Sequence, residues 1–174
     1  MTNTTQFDFQ LRKKERETMQ TEETTRHIEA YADSVRNANN MLGMLEMFGV
    51  DEEHGTHQFD GTPLEELGQD IENDLDFFHY WINYNTLEAT VICEERITLG
   101  EWFNSESRNL EPVSVELLIA YGGPSVRLTV PVHAQLPAKR PLCGLRLDWW
   151  GESATMTLEL PHLQAHIAEM MSSY

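Results

Sequence analysis

The residue spacings that could do chemistry are mostly histidine and carboxylate. His54 and His57 stand three apart in DEEHGTHQFDG, residues 51–61, with Asp51, Glu53 and Asp60 beside them; imidazole mixed with carboxylate is a zinc-type donor set. An HxxH pair with no second spaced pair is a weak signature, and no metal is expected there. His162 and His166 are four apart in a C-terminal helical pattern. They lack the glutamate that HExxH hydrolases use, so both are expected at the surface. Asp70, Glu72, Asp74 and Asp76 alternate as calcium-loop ligands do, but position six is Leu75 where the loop needs glycine and position twelve is Trp81 where it needs glutamate. The pattern GxGxxG, the P-loop and the GxSxG elbow are all missing from the sequence, which removes phosphate-cradle and serine-elbow chemistry. Cys93 and Cys143 fall in strand-like runs and read as small buried hydrophobes of a reducing compartment. Carboxylates are too numerous for any two to be singled out as acid and base. The chain is therefore expected to be non-enzymatic, with no cofactor and no metal.

The carboxylates themselves are unevenly placed. Residues 37–95 hold fourteen of them and no Lys or Arg: Glu46, Asp51, Glu52, Glu53, Asp60, Glu65, Glu66, Asp70, Glu72, Asp74, Asp76, Glu88, Glu94 and Glu95. That segment carries −14 of a formal net charge of −17 over 174 residues. A few charges suffice for solubility, and self-repulsion destabilises a compact state beyond that. The same charge repels nucleic acid and anionic membranes, which excludes direct binding to either.

The elements that must carry these groups follow from apolar periodicity. Residues 1–23 are polar, with Arg12, Lys13, Lys14 and Arg16 interleaved with Glu15 and Glu17, and read as solvated helix. From Thr24 to Phe48, Ile28, Tyr31, Val35, Ala38, Leu42 and Leu45 recur at three and four, a helical stripe ended by Gly49. Met41, Met44 and Met47 widen it. Thr62, Pro63 and Glu65 resemble a capping box, and Leu64, Leu67, Ile71, Leu75, Phe78 and Ile82 form a seam, so one helix is expected from about 62 to 82. Its opposite face would carry Glu65, Glu66, Asp70, Glu72, Asp74 and Asp76.

From Leu87 the period changes to two. Leu87, Ala89, Val91 and Cys93 alternate with polar residues, a pattern extendable through Ile97 and Leu99. Val113 to Ile119 and Val126 to Val132 flank Gly122, Gly123 and Pro124 and predict an antiparallel hairpin. Two further alternating runs, Leu145 to Trp149 and Ala154 to Leu160, meet at Gly151, and Pro161 opens a last helix. Trp102, Phe103, Trp149 and Trp150 read as packing residues. The expected fold is α+β: N-terminal helices on one face of a four- to five-stranded antiparallel sheet, with a short C-terminal helix. An acidic helical region, 1–85, and a sheet region, 86–174, would form one compact domain. The polar start and the shortness of every apolar run predict a protein of the cytoplasm.

The segment SVELLIAYGGPSVRL, with LRLDWWG after it, resembles a strand-turn-strand pattern in small proteins of phages and mobile elements. Size and acidity are similar to those of phage anti-CRISPR and anti-restriction proteins. The resemblance implies an inhibitor of a host nucleic-acid-targeting complex, a Cas9- or Cascade-type effector or a restriction enzyme, acting in the host cytoplasm. Independently of it, the acids suggest a decoy for polynucleotide: Glu66, Asp70 and Asp74 would lie about 5 to 6 Å apart on a helix against a phosphate advance of about 3.4 Å per nucleotide, with longer side chains and a second row of acids bringing the two into approximate register. The expected contact residues are Asp51, Glu52, Glu53, Asp60, Glu65, Glu66, Asp70, Glu72, Asp74 and Asp76. The alternative is a structural or adaptor protein, as a homodimer, whose acids only solubilise it.

Overall fold

A computed structural model describes residues 3–50, 58–67, 71–93, 96–104, 110–132 and 142–172, with side chains from residue 21 onward. Helix α1 spans Asn3–Phe48, so the predicted stripe occupies only its second half. Ile28, Ala32, Val35, Ala38, Leu42 and Leu45 are buried along one side. Gly49 closes the helix at φ 62, its N–H donating to the Leu45 carbonyl at 2.9 Å. A left-handed C′ residue of this kind is where glycine has no Cβ penalty.

The expected helix from 62 to 82 does not form as one element. Asp60 and Gly61 both have positive φ, 50 and 81, and link β1 (Gln58–Phe59) to β2 (Thr62–Pro63) as a two-residue hairpin. An Asp-Gly turn satisfies both left-handed positions locally, so Thr62 is taken by a strand and never caps a helix. A short 3-10 turn at Leu64–Glu66 follows. Helix α2 begins only at Asp74 and runs to Asn85. Asn73 is its cap, accepting from the Asp76 N–H at 2.9 Å. Because the register restarts there, Leu75 is 50% exposed while Phe77, Phe78 and Trp81 are buried.

The sheet has six antiparallel strands, β3 (Glu88–Ile92), β4 (Arg96–Thr98), β5 (Ser114–Ala120), β6 (Ser125–Pro131), β7 (Cys143–Trp149) and β8 (Glu152–Leu158), in the order β4-β3-β5-β6-β7-β8. The additional strand comes from the run expected to extend from Leu87 to Leu99. It reverses after Ile92 to pair Val91 with Ile97, and Leu99 opens α3 (Leu99–Asn104). Cross-strand neighbours Leu117, Leu128, Leu145 and Met156 line up over four strands beneath the helices. Helix α1 packs on β7 and β8; α4 (Pro161–Ser172) packs on β6, α1 and α2. The α+β prediction is thus observed, with helices over the apolar face. Among the described residues no helix is long and apolar enough to cross a membrane.

Of the aromatic residues, Trp102 is buried, and Trp149 meets the His27 ring edge-on with centroids 4.4 Å apart. Both have packing roles. Trp150 and Gly151, at φ 51 and 84, form the β7–β8 turn. Cys143 is fully buried and Cys93 half-buried, both as free thiols. Burial pushes the Cys143 thiol up to about 11, so at pH 8 about one in a thousand is thiolate. Thiol labelling of the folded protein at that pH is expected to leave Cys143 unmodified until denaturant is added, as peptide mapping would show.

Candidate functional site

Asp60 lies exposed on the β1–β2 turn, Glu65 and Glu66 are exposed on the 3-10 turn, and Glu72 is exposed just ahead of α2. Asp51, Glu52, Glu53, Asp70, Glu94 and Glu95, with His54 and His57, lie outside the described residues, as do the side chains of Arg12, Lys13, Lys14 and Arg16. The proposed ladder of Glu66, Asp70 and Asp74 on one helix face is not present. Glu66 belongs to the 3-10 turn and Asp74 is the first residue of α2, so no i, i+4 spacing relates them. Of the described acids, Glu65, Glu66 and Glu72 instead lie on the short segment that joins β2 to α2, with Asp60 on the turn before it.

Two of the expected contact residues serve the fold. Asp76 accepts from the Glu72 N–H at 3.2 Å while its own N–H is held by Asn73, and both it and Asp74 stand at the positive end of the α2 dipole. Asp74 also turns inward: its Oδ2 is 3.3 Å from Nε2 of His166. By contrast Asp60, Glu65, Glu66 and Glu72 form no ion pair with Lys or Arg among the described residues.

His166 corrects the surface reading of the C-terminal histidines. It is 7% exposed, on the same stripe of α4 as Leu163, Ile167 and Met171, and its ring stacks on Phe78 with centroids 5.2 Å apart. The missing HExxH glutamate was the wrong test; the apolar stripe on either side of His166 was the available signal. The acid comes from another helix. Glu46 Oε1, in the last turn of α1, is 3.3 Å from His166 Nε2, and Glu46 Oε2 is 2.7 Å from His162 Nδ1. Gly43 makes room for the His162 ring: a Cβ there would sit 2.5 Å from Nε2. Glycine inside a helix costs about 1 kcal/mol against alanine, and here close approach of an imidazole accounts for it.

The sheet face opposite α1 and α4 holds a second polar assembly. Arg127 and Arg146 are directly opposite on β6 and β7, a pairing that destabilises unless each charge is answered. Glu116 pairs with Arg96 and lies 3.4 Å from Arg127, while Arg146 grips Asp148 through Nε and Nη2 at 3.0 and 2.9 Å. The hydrogen bonds and charge of Asp148 push the Arg146 guanidinium above its ordinary value. With Glu101 of α3 and Thr90 and Thr129, these residues line an open cavity of about 570 Å³. No protein-family model, curated protein or solved structure matches the chain.

Proposed function

We propose that the chain is a non-enzymatic inhibitor whose acidic segment docks on the basic groove of a nucleic-acid-targeting complex, a Cas9- or Cascade-type effector or a restriction enzyme. The observation that carries this reading is the set Asp60, Glu65, Glu66 and Glu72, exposed, close in the chain and without a Lys or Arg partner among the described residues. Carboxylates not neutralised within the fold remain available to a cationic partner. A surface of this sign accelerates encounter with a basic groove and does so less as salt rises. The match is one of charge density, since the regular helical ladder is absent.

A variant carrying Glu65→Lys, Glu66→Lys and Glu72→Lys tests it, because none of these side chains has a structural hydrogen bond or ion pair among the described residues. Association with purified effector complexes, followed by surface plasmon resonance across salt concentrations, is expected to slow by about tenfold or more with a shallower salt dependence. Equal rates for the variant and the natural protein would remove the proposal. The cavity on the sheet face opposite α1 and α4 favours a second reading, an adaptor that seats a polar ligand against Arg96, Arg127 and Arg146. Binding there would survive the triple change and fail in Arg127→Ala.

A further inference from the structure

We propose that Glu46, Asp74 and His166 bind a divalent transition-metal ion, zinc in preference to calcium or magnesium. Their donor atoms, two carboxylate oxygens and an imidazole nitrogen, all lie within 4.8 Å of one another. His166 Nε2 is 3.3 Å from both Glu46 Oε1 and Asp74 Oδ2. A tetrahedral ion with bonds of about 2.0–2.2 Å spaces its ligand atoms roughly 3.3–3.5 Å apart, which is the separation of His166 Nε2 from each carboxylate oxygen.

The imidazole supplies the independent sign that something belongs between them. His166 is 93% buried, taking its 7% exposure as the remainder, and Nε2 has no hydrogen-bond partner. A protonated imidazole would draw one carboxylate in to about 2.7–2.9 Å in a straight bond. Here the nitrogen stands equally far from two carboxylates and hydrogen-bonds to neither, which leaves it free to ligate an ion that both carboxylates share. Buried polar atoms left unmatched are costly and call for an explanation.

The electrostatics agree. Glu46 sits in the last turn of α1, at the negative end of that helix, with no basic residue in the turn. A second carboxylate facing it adds repulsion, and a cation offsets both. His162 holds the other Glu46 oxygen at 2.7 Å, the outer-shell arrangement that orients a ligating carboxylate. One nitrogen with two oxygens suits zinc, whereas calcium and magnesium take oxygen ligands throughout. Three protein ligands leave a fourth position for water. This inference is independent of the docking proposal.

The test is calorimetric titration of chelator-stripped full-length protein with zinc chloride, then with calcium and magnesium chloride. One zinc per chain is expected, with calcium and magnesium at least tenfold weaker, and a melting temperature raised by roughly 5 to 10 °C at a hundredfold excess over Kd. Glu46→Gln and His166→Gln are each expected to weaken zinc at least tenfold, and His54→Gln with His57→Gln to leave it unchanged. Glu46 is partly exposed, so Glu46→Gln keeps the test intact should His166→Gln fail to fold. Absence of stoichiometric zinc, equal affinity for calcium, or zinc binding retained in Glu46→Gln and lost in the His54/His57 variant would each overturn the proposal.

Discussion

Phe78→Ala is expected to cost about 3–5 kcal/mol of folding free energy, a large part of the roughly 5–15 kcal/mol that holds a domain together. Phe78 is 1% exposed, so its removal loses the transfer free energy of the ring and leaves a cavity that its neighbours only partly close. It also removes the surface on which His166 stacks. The urea midpoint should fall sharply with an unchanged slope, and the melting temperature by roughly 10 °C. Phe78→Leu, which refills part of the space, should lose clearly less. A change below about 1 kcal/mol for Phe78→Ala would contradict the burial of this ring.

Asn39→Ala is the second large effect, because one buried amide performs a task that the local sequence leaves undone. Helix α4 starts at Pro161, behind Leu160, and an apolar residue at the cap position can accept nothing from the first free N–H groups. Asn39 of α1 provides the acceptor: its Oδ1 takes the His162 N–H at 3.0 Å and the Leu163 N–H at 3.2 Å. Without it those donors are unmatched, Leu163 in a fully buried position, at about 1–3 kcal/mol for an orphaned buried group. A loss of about 2–3 kcal/mol is expected in denaturant unfolding, together with faster amide exchange at His162 and Leu163. Asn39→Asp keeps an acceptor at a helix N-terminus and should lose less. Protection unchanged in Asn39→Ala would show that α4 is capped in another way.

The Asn39 bond shows where reading the chain stops. The apolar period of α1 and the two-residue period of β5 to β8 are local signals, and each element appears where its pattern lies. The region from Asp60 to Ile82 misleads because two local signals compete. Asp60-Gly61 satisfies a left-handed hairpin turn, and that turn takes Thr62 and Pro63 from the helix their own sequence suggests. Asn73, an equally good cap, then starts α2 eleven residues later than Thr62 would have, and moves Leu75 outward and Phe77 and Trp81 inward. The spacing of the acids changed with it.

The residues of the proposed metal site were all visible, but not as a group. His162 and His166 form a pair in any helical reading, while Glu46 is more than a hundred residues away and carries no mark distinguishing it from thirteen other acids of its segment. Residue order established the antiparallel sheet, the helix-covered face and the concentration of charge in 37–95, because these depend on periodicity and composition. Folding decided which carboxylates face solvent and which face an imidazole. That outcome depends on where α1 ends, where α2 begins and how α4 crosses both, and packing of three helices sets those positions through contacts that no short stretch of chain contains.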